Sequence, residues 1–344
     1  MTVKKIGIIS LSRGLLGEEM VNHEIKIGLN RLQRYPIDVS FLPNAQKGID
    51  YLRNNPQKRA EDLLMAFKDP TIDMILCAIG GDDTYRLLPY LFANDQLKKV
   101  VSEKIFLGFS DTTMNHFMLH KLGLKTFYGQ AFLPDICELS SDMLPYSRSY
   151  FDELLTIKQI KEIRPSQIWY QGRIDFSKAA IGVSMPHYKD RGFELLRGEP
   201  IFEGKILGGC LDSIYDMFDN SRYDNTVYLC QKFQLFPSLE EWKGKILLLE
   251  TSEENPSPKK YRTMIKTLED FGIFNVINGL LIGKPQNENH YGAYKKILLE
   301  EIDNKKLPII YNINIGHATP RCIMPFGVQA TVDVTKQVIQ FNNE

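Results

Sequence analysis

No run of this chain approaches the ~20 consecutive apolar residues that a membrane-crossing helix needs. No long apolar stretch with a small-residue cleavage site follows Met1-Thr2-Val3-Lys4-Lys5, so no signal peptide is expected. An excess of either charge is missing too, with 42 Lys plus Arg against 42 Asp plus Glu. Neither nucleic acid nor an anionic membrane would find surplus positive charge, so neither is expected as the main partner. Cysteine is sparse: Cys77, Cys137, Cys210, Cys230 and Cys322 are dispersed, odd in number and without C-x-x-C spacing. That pattern argues against a disulfide framework and fits free thiols in a reducing, cytoplasmic compartment. There is no internal repeat and no low-complexity segment.

What is present is enough for about two domains, at roughly 150 residues each. Apolar residues are 43% of the chain, so real cores can form. The first half alternates strand and helix. Strands are expected at 6–10, 39–42 and 74–79 and in the run Ile105-Phe106-Leu107, with helices at 18–34 and 59–68 and after Thr84 and Thr113. Such alternation predicts an α/β domain with an open, doubly wound, mostly parallel sheet, and ligands at the carboxyl ends of its strands. The rhythm fails around Pro134, Pro145 and Pro165. A connection at 136–165, with helix at 149–161, therefore divides residues 1–135 from a strand-rich α/β domain at 166–344. In that second part, Lys205–Gly209 reads as a short strand with a Gly-Gly turn and Leu211–Phe218 as helix. Lys245–Leu249, Leu280–Ile282 and Ile309–Ile313 read as strands. Ser257 as N-cap, Pro258 as first helical residue and Gly272 as stop bracket a helix. Val328–Val334 and Gln337–Phe341 form a closing hairpin.

The organising stretch is Ile105-Phe106-Leu107-Gly108-Phe109-Ser110-Asp111-Thr112-Thr113. A buried strand, a Gly-x-Ser turn and a helix start would lift the Ser110 hydroxyl above the sheet edge. The first amides of the helix would point at the same spot. Ser110 could equally be only a helix cap. A nucleophile needs a base, and the base needs an orienting acid. His317, in Ile315-Gly316-His317-Ala318, stands just past an apolar strand; it could also be a loop histidine bonded to backbone. Glu250 ends the strand Ile246-Leu247-Leu248-Leu249, where its carboxylate would lie at the sheet edge or pair with a surface cation. Glu253 and Glu254 lie farther into the loop and read as solvated or capping. His116 and His120 have i, i+4 spacing but no Glu between them and no third ligand nearby, so no metal site is expected. The turn Gly80-Gly81-Asp82-Asp83-Thr84 admits three readings: an oxyanion donor at Gly81, a phosphate-holding turn, or a capped strand-to-helix turn.

Ile79-Gly80-Gly81-Asp82-Asp83, Gly108-Phe109-Ser110-Asp111-Thr112, Gly208-Gly209-Cys210-Leu211, Glu250-Thr251-Ser252-Glu253-Glu254 and Gly316-His317 occur in this order. Together they resemble the LD-carboxypeptidase serine peptidases, which include the microcin C self-immunity proteins. The resemblance runs over roughly residues 5–330. It implies a doubly wound N-terminal domain with the nucleophile, falling on Ser110, and a C-terminal domain with the acid and base, falling on Glu250 and His317. It implies oxyanion donors at the amides of Gly81 and Asp111, no cofactor, a homodimer, and a small peptide or peptidyl-nucleotide substrate. Family members usually read Gly-Gly-Asn-Leu where this chain has Cys210, so substrate choice is expected to differ if that position touches substrate. Trp169 falls in a region comparable to the aromatic residue that stacks on the nucleotide in the microcin-immunity branch; a core or interface Trp is the alternative. The implied activity is cleavage of an amide next to a free carboxylate. Two other readings stay open: a phosphoryl-transfer enzyme using Gly80–Thr84, and a non-enzymatic ligand-binding protein.

Overall fold

The alternation in the first half builds a six-stranded sheet. Its spatial order is Met324–Phe326, Thr126–Tyr128, Ile105–Gly108, Met74–Cys77, Lys5–Ile9, Asp38–Phe41. The computed structural model describes residues 2–342. The five strands from the N-terminal half run parallel, with Ile6 opposite Met74 and Met74 opposite Ile105. Met74–Cys77 and Ile105–Gly108 are buried at every position, as continuous apolar runs covered on both faces should be. From Lys5–Ile9 the chain first goes outward to Asp38–Phe41, then returns to Met74–Cys77 on the other side. The sheet order reverses there, and the crevice beyond such a reversal is where doubly wound sheets bind ligands.

The second half forms an eight-stranded sheet in the order Glu162–Ile163, Val338–Asn342, Gln329–Asp333, Ile201–Cys210, Ile246–Glu250, Gly279–Gly283, Ile309–Ile313, Glu194–Arg197. Its four central strands are parallel and the others antiparallel. The helix Pro258–Phe271 starts and stops as its caps require. The Ser257 hydroxyl accepts the Lys260 N–H at 3.3 Å, and Gly272 at φ +88° ends it. Tyr261, Met264, Ile265 and Leu268 form its buried face.

Two expectations need correction. The helix after the first half spans Pro145–Ile157, not 149–161. Pro145 occupies the first helical turn, where its missing N–H costs nothing, so it starts a helix and does not mark a loop. The strand expected at Lys205–Gly209 is Ile201–Cys210 and runs straight through the glycine pair without turning. Gly209, at φ +136°, is required because a Cβ there would lie 2.4 Å from Thr113 Oγ1. The bare backbone lets Thr113 Oγ1 accept the Cys210 N–H at 2.9 Å, joining the two halves. Met324–Phe326, to which the sequence reading assigned no element, leaves the second half and pairs antiparallel with Thr126–Tyr128 at the edge of the first sheet.

Candidate active site

Ser110 sits between the strand Ile105–Gly108 and the helix Thr113–His120 at φ +65°. A left-handed conformation is costly for any residue with a Cβ. Here the extended Phe109 and the helix that starts at once force it, and the hydroxyl is thrown clear of the sheet edge. Ser110 is not the cap of the helix, since Phe109 precedes the short turn Ser110–Thr112 and Thr112 precedes the helix Thr113–His120. Its Oγ instead lies 3.1 Å from His317 Nε2.

His317 stands just beyond the strand Ile309–Ile313, and its ring Nδ1 lies 2.8 Å from Glu250 Oε2. Its own backbone N–H donates to the same oxygen at 3.2 Å. Gly316 makes the approach possible: its φ is +79°, and a Cβ there would fall 2.2 Å from that oxygen. Glu250 ends the buried strand Ile246–Glu250 and is itself buried. Its second oxygen accepts the Tyr128 hydroxyl at 2.6 Å. Hydroxyl, imidazole and carboxylate thus form one chain of hydrogen bonds, assembled from residues 110, 317 and 250.

A second carboxylate reaches the imidazole. Glu253 Oε2 lies 2.8 Å from His317 Nε2, on the nitrogen that also meets Ser110. Burial alone would lower the imidazole pKa, but the charges and hydrogen bonds of Glu250 and Glu253 outweigh it and lift the pKa to about 10. The hydrogen bond from His317 in turn holds the Glu253 carboxyl down at about 2. Carboxylates against both ring nitrogens thus favour the protonated form of His317.

Three loops at the carboxyl ends of the parallel strands meet beside Ser110. Ser12 Oγ donates to Asp111 Oδ2 at 2.5 Å, and the Thr84 N–H donates to the same oxygen at 2.9 Å. Burial pushes the Asp111 carboxyl up to about 6. The turn at Gly80 closes on the hydroxyl, since a Cβ on Gly80 would lie 2.7 Å from Ser110 Oγ and 3.2 Å from the Asp111 nitrogen. The cavity over this turn has a volume of about 210 Å³ and is bordered by Gly80, Gly81, Phe109, Ser110, Phe176, Arg173, His317 and Arg321. Arg173 is tied to Glu138 at 2.6 Å, and Arg321 to Asp135 at 3.1 Å with its guanidinium 4.8 Å from the Phe109 ring centre.

Profiles of the LD-carboxypeptidase N-terminal and C-terminal domains match residues 6–129 and 203–332. The chain belongs to the LD-carboxypeptidase family. It is accordingly a serine peptidase. The microcin C7 self-immunity protein MccF of Escherichia coli is 25% identical over 302 residues, which are 86% of this chain and 81% of that protein. A putative carboxypeptidase of Synechocystis is 31% identical over 92% of this chain and 89% of its own length. Among solved structures, an MccF-like protein from Streptococcus pneumoniae in complex with AMP is 60% identical, has a TM-score of 0.98 and covers 99% of both chains.

The remaining candidate residues of this LD-carboxypeptidase lie at the cavity, in the core or, for Trp169, half-buried away from both. Gly81 borders the cavity at Ser110. Cys210 borders a narrower neighbouring recess that also reaches Ser110, together with Asp212, Asp216 and Arg222. Cys210, Glu250 and His317 could in principle present ligand atoms to one metal, because those atoms lie within 4.8 Å of one another. Both Glu250 oxygens are already engaged, however, and burial next to that carboxylate pushes the Cys210 thiol well up, so it stays protonated and a poor ligand. Trp169 is not among the residues around this cavity. Its ring stacks on Tyr188 at 4.7 Å, with Lys284 Nζ 5.3 Å from the ring centre. His116 is buried in the core and bonded to Thr126 Oγ1 at 2.8 Å and Gly108 O at 3.1 Å. Two site residues escaped the sequence reading. Tyr128 gave no signal beyond being an aromatic residue at a strand end. Glu253 is exposed, as it read, and what the sequence did not show is that its carboxylate touches the imidazole.

Proposed function

We propose that this LD-carboxypeptidase hydrolyses an amide next to a free carboxylate, with Ser110 as nucleophile, His317 as base and Glu250 as the acid that orients it. The observation that carries the reading is the unbroken hydrogen-bond chain from Ser110 Oγ through both nitrogens of His317 to Glu250. For turnover, Glu253 leaves Nε2 and the imidazolium gives its Nε2 proton to solvent. Neutral His317 then takes the Ser110 proton at Nε2 as Oγ bonds to the carbonyl carbon, and its Nδ1–H stays on Glu250. The resulting oxyanion rests on the amides of Gly81 and Asp111. His317 returns the proton to the leaving nitrogen as the C–N bond breaks. Water, deprotonated by the same imidazole, then releases the acyl group from Ser110.

The cleft between residues 1–135 and 166–344 holds the substrate in this reading, and the protein works as a cytoplasmic homodimer. Buried free thiols at all five cysteines fit a reducing compartment. AMP in the S. pneumoniae relative supports a substrate with a nucleotide on the leaving side. Murein peptides and other acyl-amino acid amides share the same bond chemistry. The phosphoryl-transfer reading of Gly80–Thr84 gains no support. The Asp82 and Thr84 amides are taken by Ser12 Oγ and Asp111, and Asp83 is paired with Arg59 at 2.5 Å. A phosphate would meet acids there in place of free amides.

Mass spectrometry of products from murein peptides and aminoacyl-nucleotide analogues, wild type against Ser110→Ala, tests the proposal. Product from wild type alone is expected. Equal turnover by the variant would remove Ser110 from the mechanism.

A further inference from the structure

We propose that Tyr128 is a positioning residue that locks the Glu250 carboxylate to the Ser110 backbone, setting acid and nucleophile in register across the two halves of the molecule. The proposal rests on the Ser110–His317–Glu250 reading and extends it to a residue outside that chain. Tyr128 is fully buried at the end of the strand Thr126–Tyr128. Its O–H donates to Glu250 Oε1 at 2.6 Å, and its oxygen accepts the Ser110 N–H at 3.1 Å. One hydroxyl therefore touches the orienting acid and the strained nucleophile residue at once. Since Glu250 Oε2 is held by His317, the hydroxyl on Oε1 removes the remaining freedom of the carboxylate to rotate.

The ring is clamped as firmly as the hydroxyl. It stacks on Phe326 at 5.2 Å with an interplanar angle of 17°, and meets His116 and Phe109 edge-on. Phe326 lies on Met324–Phe326, the strand that crosses from the second half to pair beside Tyr128. The same crossing that completes the first sheet thus fixes the strut between acid and nucleophile. A further consequence concerns the oxyanion. The Ser110 N–H is used by Tyr128, so it is not free to hold a developing negative charge, and the amides of Gly81 and Asp111 are left to do so.

The test compares wild type with Tyr128→Phe, which keeps the ring and loses the hydroxyl. Two readouts are used: steady-state kinetics, and the downfield proton resonance of the His317–Glu250 hydrogen bond. A residue that only orients others is expected to cost roughly 10- to 100-fold in kcat, with KM changed by no more than about twofold. The resonance is expected to move or broaden in protein that is still folded at the assay temperature, with a lowered unfolding temperature because Oε1 and the Ser110 N–H lose their partner. An unmoved resonance with kcat near wild type would overturn the proposal. So would a loss of activity matched by loss of folded protein with the resonance unmoved. Should Tyr128→Phe not fold, 3-fluorotyrosine placed at 128 keeps the shape and acidifies the phenol; an unshifted resonance there refutes the strut. The resonance needs no substrate. Wild-type protein that turns over none of the amides would sink the hydrolase reading and leave this test standing.

Discussion

Glu253→Gln is expected to make this enzyme faster near neutral pH. His317 Nε2 lies 2.8 Å from Glu253 Oε2 and 3.1 Å from Ser110 Oγ. Carboxylates on both ring nitrogens hold the imidazole pKa at about 10. An imidazolium has no lone pair for the Ser110 proton, so near neutral pH only a small fraction of free enzyme is competent. An opposite charge in contact moves a pKa by about 1 to 3 units. The Glu253 side chain is 64% exposed, so solvent screens its charge and the low end applies. Gln keeps the size and a hydrogen-bond acceptor but removes the charge. The imidazole pKa should fall by about one unit, which raises the neutral fraction about tenfold wherever the pH lies below both values. The sign is set by the active form being neutral. A lower imidazole pKa moves the acid limb of kcat/KM to lower pH. Near neutral pH kcat/KM should rise about tenfold, and the two enzymes should converge on the alkaline plateau. The assay is kcat/KM on one amide substrate across that range. An acid limb that stays put or moves up, or activity lost at every pH, would refute this reasoning and make Glu253 a required group in place of a resting clamp.

Other perturbations probe the same geometry. Ser110→Gly removes the nucleophile and the left-handed strain at φ +65° together. Turnover should vanish while calorimetry shows a gain of about 0.5–1 kcal/mol, the relieved strain less the extra chain entropy of glycine; a lower Tm would contradict stored strain. Gly316→Ala places a methyl 2.2 Å from Glu250 Oε2 in a left-handed residue. It should cost about 1–3 kcal/mol of stability by urea unfolding and most of the activity; full activity would show the His317–Glu250 contact to be looser than described. Arg59 is fully buried and grips both oxygens of Asp83, at 2.5 and 3.0 Å. Arg59→Met leaves Asp83 with only the partly exposed Arg86, 3.2 Å from its Oδ2, and should cost about 3 kcal/mol, with much of the loss recovered when Asp83 becomes Leu in the same chain.

Much of the fold could be read from local pattern. The all-buried run Met74–Cys77 announced a covered parallel strand, and the Ser257-Pro258 and Gly272 signals bracketed their helix because caps act within one turn. Reading failed where a residue's role depends on a neighbour far along the chain. Pro145 suits a loop or a helix start, and only the tertiary packing of Tyr150, Phe151 and Leu154 chooses between them. Gly208-Gly209 suits a turn, but close approach of Thr113 keeps it extended. Met324–Phe326 is three residues long, too short to carry a period of its own.

By itself the sequence determined the doubly wound half, the strand–turn–helix context of Ser110, and which Glu and which His end apolar strands. Those features arise from hydrophobic period and turn chemistry, which span only a few residues. The tertiary structure alone decided that residues 110, 250 and 317 share one hydrogen-bond chain, that Glu253 competes for the imidazole, and that Tyr128 bridges acid and nucleophile. The Ser110–His317 and Tyr128–Glu250 contacts, at 3.1 and 2.6 Å, join groups more than a hundred residues apart and are set by how two sheets dock, while those of His317 with Glu250 and Glu253 depend on loops more than sixty residues apart, and no local pattern encodes either.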